Sequence, residues 1–239
     1  VTGNLPQEIY SVARRKLRIA LWIVLALLVL AIVVLLVLFI ASRRVPDFYA
    51  SALAADPQGQ RQASDEMLRR TSELASDVQK AGRWQSLFTE EQINGWLAVD
   101  LVENHPDALP PTLEDPRVSI TEERITLACR LTRGGFESVV SLEVEPYLPE
   151  PNVLALRFRG ARAGAVPVPL GELLDKIDEA GARLDLPIRW QQAEGEPVAL
   201  ITIPSTARNR SIRVHIDTLR LGDGEILFGG RTEQREVEK

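Results

Sequence analysis

Residues Ile19–Ala41 contain no formally charged side chain and are almost all Leu, Val, Ile or Ala, with Arg14, Arg15, Lys16 and Arg18 before them and Arg43 and Arg44 after. A helix of about 20 apolar residues spans the hydrocarbon core of a bilayer, so this run predicts one transmembrane helix. Four basic residues crowd its N-terminal flank against two beyond it, and the positive-inside rule therefore places the N-terminus in the cytoplasm and the rest of the chain outside. A cleaved signal peptide would have an apolar core of about 7 to 15 residues followed by small residues. This run is longer, and Phe39 is badly placed for cleavage after Ala41, which favours a retained signal-anchor in the cell membrane. Trp22 near one boundary and Phe48 and Tyr49 past the other read as interfacial aromatics.

The formal net charge is -5, and the segment through Arg18 is basic, so the remainder is more acidic than the whole. Nucleic acid binding needs a basic footprint, and the exported part has the opposite sign. Cys129 is the only cysteine, which rules out an internal disulfide; its apolar neighbours suit a buried strand residue better than a nucleophile.

After the anchor, a loop from Pro46 to Gly59 precedes a helix expected over Gln60–Ala81, where Ala63, Met67, Leu74, Val78 and Ala81 form a narrow apolar stripe. Such a helix could serve as a stalk packed on the domain or as a contact between copies. In Phe88-Thr89-Glu90-Glu91-Gln92-Ile93, Thr89 and Gln92 have the spacing of a capping box, and Ile93, Trp96, Leu97 and Leu101 should face inward until His105-Pro106 ends the element. From Arg117 the period changes to two. Ile125, Leu127, Cys129 and Leu131 alternate with Thr126, Arg130 and Thr132, Gly134-Gly135 offers a turn, and Phe136–Val144 continues the pattern. Leu154, Leu156 and Phe158 point one way and Arg157 and Arg159 the other. A helix over Gly171–Leu184 buries Leu173, Leu174, Ile177, Ala180 and Leu184, and further strands fall at Pro197–Ile203, Ile212–Leu221 and Glu225–Gly229. The fold class is α+β: an N-terminal transmembrane helix, then a mainly antiparallel β-sheet domain with two or three packed helices. The expected organisation is a cytoplasmic tail (1–18), the anchor (19–41), a juxtamembrane loop and stalk helix (42–87), the extracytoplasmic domain (88–230) and a polar tail (231–239).

The basic N-terminus and single apolar helix, the Phe-Thr-Glu-Glu-Gln-Ile-Asn-Gly-Trp-Leu helix start, the paired strands ending near Glu145-Pro146, Val166-Pro167-Val168-Pro169-Leu170 before a helix and then Leu186-Pro187 resemble the YpmS-like family of bacterial single-pass membrane-anchored extracytoplasmic proteins. The resemblance covers roughly residues 15 to 205 and leaves Asp107–Pro116 and the basic Arg208–Arg213 turn without counterparts. It implies a domain of the cell envelope and brings to mind elongated sheet-and-helix domains that bind lipid.

Reactive constellations are scarce. His215 and Asp217 share a strand face but supply only two of the three or four ligands zinc needs, no nucleophile elbow surrounds any serine, and Gly222-Asp223-Gly224 reads as a hairpin turn. The acidic groups lack calcium-loop spacing and read as solvated charge. Accordingly no enzyme activity, metal or cofactor is expected. The favoured function is a membrane-tethered module that binds membrane lipid or another apolar envelope ligand, with Leu154, Leu156, Phe158, Leu173, Leu174, Ile177 and Leu184 lining a groove and Arg157 and Arg159 available to an anionic group. The alternative is a non-enzymatic scaffold that contacts another envelope protein. Burial into a core produces the same alternation as a groove.

Overall fold

The computed structural model describes residues 25, 27–183, 188–205 and 212–234. The chain divides into two units, Val1–Ser42 and Arg43–Lys239. In the first, α1 (Leu27–Ser42) exposes large apolar side chains all round, from Leu27 to Ile40, a surface that suits lipid and not water. Residues 19–24 and 26 of the expected anchor lie outside the described residues. Among those described, no single helix is long and apolar enough to cross a membrane; α1 taken together with α2 (Asp47–Leu53) meets the test of length and composition.

The second unit is α+β and its sheets are antiparallel. β2 (Leu113–Ile120), β3 (Ile125–Arg133), β4 (Phe136–Glu150), β5 (Val153–Ala163), β8 (Glu196–Thr202) and β7 (Ile188–Ala193) lie side by side in that order, and the short β6 (Val166–Val168) also pairs with β5. A three-stranded sheet has the order β1 (Gly82–Thr89), β10 (Glu225–Gln234), β9 (Ile212–Gly222). The hairpin between β3 and β4 turns on Gly134 and Gly135, at φ 58 and 80, the left-handed values that a two-residue turn of this hand demands.

Side chains cap two of the sheet edges, β2 and β9. Thr89 caps α4 (Glu90–Ala98) in the expected capping box: its hydroxyl accepts from Gln92 N, and the Gln92 side chain accepts from Thr89 N. The cap aims α4 along β2, where Asn94 imitates a neighbouring strand. Its Nδ2 donates to Val118 O at 2.9 Å and its Oδ1 accepts from Val118 N at 2.8 Å, while Glu90 accepts from Ile120 N. At the other sheet, Asn152 in the β4–β5 turn seals β9. Its Oδ1 accepts from Ile216 N, its Nδ2 donates to Val214 O and Ile203 O, its N–H donates to Ile216 O, and its carbonyl accepts from Ile203 N. Thus one buried residue ties β9 to the end of β8.

Helix α3 (Pro57–Val78) starts earlier and ends earlier than the periodicity predicts, because Asp56 accepts from Gly59 N and Pro57 suits a first turn. The predicted stalk is a packed helix of the folded unit. Ala63 and Ser64 are buried against α4 at Gly95, and Leu74 and Val78 join Trp84, Ile212, Val214 and Ile216 in the core of the smaller sheet. Trp84 Nε1 donates to Thr232 Oγ1, whose hydroxyl donates to Val78 O. Two further boundaries differ from expectation. Residues 82–87, placed with the stalk region, belong to β1, and the expected C-terminal tail begins inside β10, where Thr232 is buried. Tyr49, expected at a membrane interface, is 1 % exposed: it packs on Ala128 and Val139, and its hydroxyl donates to Asp115 O at 2.9 Å.

Candidate functional site

Cross-strand partners share a sheet face, so the register of the larger sheet sorts its side chains. Ile125, Leu127, Val144, Leu142, Phe158, Leu156 and Ala199 fall on one face. Helix α6 (Gly171–Arg183) lies on that face: Leu170, Leu174 and Ile177 pack with Leu142, Leu156 and Ile188 around buried Val144, Phe158 and Ala199. The structure therefore brings together Leu156, Phe158, Leu174 and Ile177 of the predicted lining. Leu154 on β5 and Leu173 on α6 are half-buried, and Leu184 lies outside the described residues. Phe158, at 2 % exposure, is core; its ring lies 5.7 Å from that of Trp190, which is 37 % exposed and donates from Nε1 to Asp178 of α6.

The cover is incomplete. Toward β2, Val118 and Ile120 are buried, and toward β5 the helix α6 covers the sheet, but between them Leu127 is 44 % exposed while Ile125, Cys129, Leu131 and Val140 remain half-exposed. An apolar strip thus runs alongside the α6 cluster.

Arg157 and Arg159 point away from α6, as the alternation predicts, and carboxylates meet them there. Arg159 contacts Glu145 at 2.6 Å and Glu196 at 2.8 Å; the hydrogen bonds it donates to these carboxylates push its pKa further up. Arg157 contacts Glu194 at 3.2 Å and Glu145 at 3.8 Å, and its guanidinium carbon sits 5.5 Å from the Tyr147 ring centroid. Both arginines meet carboxylates on the face opposite the apolar strip, Arg159 at the surface and Arg157 largely covered, with its Nε buried and without a hydrogen-bond partner.

Two cavities lie outside the predicted groove. The larger, about 770 Å³, is bounded by α2, α3, α4 and the β2–β3 and β9–β10 turns, with Phe48, Ala52, Gly59 and Gly95 among its apolar or small walls and Asp56, Glu91 and Asp223 at its rim. A second, about 390 Å³, is lined by Arg43, Val45, Tyr49, Leu53, Arg130, Gly135, Glu137, Ser138 and Val139. Arg130 contacts Asp115 at 3.0 Å and Glu137 at 3.7 Å. Arg117 pairs in register with Ala128 and so shares the face on which Tyr49 packs. It is 5 % exposed, and burial pushes its pKa down. Sequence reasoning missed this assembly, because α2 has no side-chain cap and only its packing makes Tyr49 part of the domain.

Burial pushes the Cys129 thiol up to about 11, which suppresses the thiolate that a nucleophile needs. His105 lies 3.7 Å from Asp100, and His215 lies 3.9 Å from Glu233 and not beside Asp217 in an ion pair. Among the described residues no group of three His, Cys, Asp or Glu side chains is placed to hold a metal ion. No family model, curated protein or solved structure matches this chain.

Proposed function

We propose that this protein is a membrane-tethered, extracytoplasmic binding module that shelters the acyl chain of a membrane lipid on the α6 face of its larger sheet. The half-open apolar strip carries the reading: Leu127 is exposed, and Ile125 and Leu131 are half-exposed, side by side along the amphipathic helix α6. α6 acts as the adjustable wall: displacing it from Leu156 and Phe158 would deepen the strip into the predicted groove. The exposed apolar surface of α1 supports tethering, and the flanking arginines and the resemblance to YpmS-like chains support the cell-envelope setting.

Mass analysis of lipid retained by the full chain after mild extraction from its native membrane tests the binding. Wild type should retain lipid, and Leu127→Glu should lose most of it without unfolding; an empty wild-type protein, or equal retention by the variant, overturns the proposal. Protease added to intact spheroplasts should cut the C-terminal unit, and cleavage only after lysis would overturn the sidedness.

A further inference from the structure

The β3–β4 hairpin turns beside the residues by which the chain leaves α1. Arg43 follows Ser42, the last residue of α1, by one peptide bond, and Arg43 and Val45 share the wall of the 390 Å³ cavity with Gly135 of the hairpin turn. Tyr49, buried against Ala128 and Val139 of the same two strands, fixes this arrangement. Only four residues, 43–46, separate α1 from α2, so wherever α1 enters a bilayer the hairpin turn lies within a few residues' reach of its surface.

The side chains presented there suit a headgroup layer. Arg133 and Phe136 are register partners at the tip, on the face that carries Leu131. Arg133 and Arg44 are exposed and form no ion pair among the described residues, Val45 is 50 % exposed and Phe136 is half-buried. Glu137, the acid of the hairpin, is answered by Arg130 at 3.7 Å, and Asp47 stands in the first turn of α2, where the helix dipole offsets its charge. Cationic groups beside partly exposed apolar ones match a boundary at which anionic phosphates overlie acyl chains.

We propose that the tip of the β3–β4 hairpin docks on the surface of the lipid bilayer, with Arg133 and Arg44 meeting anionic headgroups and Phe136 and Val45 entering the interface. Docking makes Leu131 the lipid-proximal end of the apolar strip, with Ile125 about 20 Å further along β3 at its distal end. An acyl chain then passes from the bilayer past Phe136 onto the strip without crossing water. The docking rests on the membrane-tethered reading; it does not depend on the strip holding lipid.

The full chain, reconstituted into nitroxide-bearing phosphatidylcholine vesicles with and without phosphatidylglycerol, tests the contact. In a Cys129→Ala background, Thr132→Cys near the tip and Glu122→Cys in the β2–β3 turn, both exposed positions, each carry a fluorescent label. The label at position 132 should be quenched by the lipid nitroxide and the label at position 122 should not. Phosphatidylglycerol should deepen the quenching at position 132, and Arg133→Gln should cut the ratio of docked to undocked hairpin about fivefold, the weight of one basic residue at an anionic surface. Phe136→Ser should weaken the quenching in both lipid mixtures. Equal quenching at the two positions, none at position 132, or a response indifferent to both Arg133→Gln and phosphatidylglycerol overturns the docking and leaves the tether standing. A chain that parts from the vesicles on alkaline flotation overturns the tethered reading and the docking with it. Leu127→Glu, which tests the acyl-chain strip, should leave the quenching unchanged, so loss of lipid retention and loss of docking are read separately.

Discussion

Removing the Asn152 side chain should loosen the junction between the two sheets far more than its place in a tight turn suggests. Its amide makes three hydrogen bonds: Oδ1 with Ile216 N at 2.9 Å, Nδ2 with Val214 O at 2.9 Å and Nδ2 with Ile203 O at 3.3 Å. Its backbone bonds to Ile216 and Ile203 survive substitution. Each buried group left unpaired costs about 1–3 kcal/mol, and allowing for partial solvation Asn152→Gly should lose roughly 3–5 kcal/mol. Asn152 also stands at φ 63, where a Cβ without a local polar contact costs about 1 kcal/mol more, so Asn152→Ala should be the worse of the two. Asn152→Asp keeps the acceptor for Ile216 N but turns an oxygen toward two carbonyls, and should resemble the Ala variant. For a folded unit of this size, about 2–4 °C is lost per kcal/mol, giving a fall on the order of 10 °C in thermal unfolding followed by circular dichroism. Hydrogen exchange should rise at Ile216 N before it rises in β3 and β4. A melting temperature within about 3 °C of wild type for Asn152→Ala, with β9 exchange unchanged, would refute the claim that this side chain joins the sheets.

Gly95→Ala should destabilise although alanine favours helix: the added Cβ would lie 2.6 Å from Ala63 Cβ, 2.7 Å from Gln60 O and 2.8 Å from Ser64 N, and overpacking of about 1–3 kcal/mol against an opposing backbone outweighs a propensity gain of about 1 kcal/mol at its upper end. Thermal unfolding checks this, and an unchanged or higher Tm counts against the close helix crossing. Tyr49→Phe should cost about 1 kcal/mol through loss of the bond to Asp115 O, and Tyr49→Ala about 3–5 kcal/mol through loss of the ring; denaturant titration distinguishes the two, and equal small effects would remove α2 from the core. Alkylation of Cys129 by iodoacetamide should be slow at pH 8 and accelerate as pH rises toward its pKa of about 11, because deprotonation forms the reactive thiolate; fast labelling of the folded chain at pH 8 would contradict the burial.

What was legible in the chain was what neighbours in sequence determine. The Thr89–Gln92 capping box, the Gly134-Gly135 and Asp223-Gly224 turns and the alternation of β3 through β5 all follow from contacts within a few residues, and the structure contains each of them. β1 escaped because Gly-Arg-Trp-Gln-Ser-Leu-Phe-Thr lacks clean alternation and its partner, β10, lies at the far end of the chain. Thr232 escaped for the same reason: its burial depends on Trp84 and Val78. For the candidate site, periodicity found the apolar face holding Leu156, Phe158, Leu174 and Ile177, yet could not separate residues sealed under α6 from Leu127 beside it. Nor could charge patterning show that Arg157 and Arg159 meet Glu145, Glu194 and Glu196, since those distances arise only when strands far apart in sequence come together.

The β2 border has a consequence wherever the chain is crowded by others. An open strand is a template on which another chain can polymerise, and here Asn94 and Glu90 occupy the sites such a recruit would need. Because that occupation relies on two side chains of one helix, and the helix in turn rests on α3 through Gly95, whatever pries the helices apart uncovers an adhesive margin. Resistance to fibre formation is therefore set at a helix crossing, away from the strand that would do the sticking.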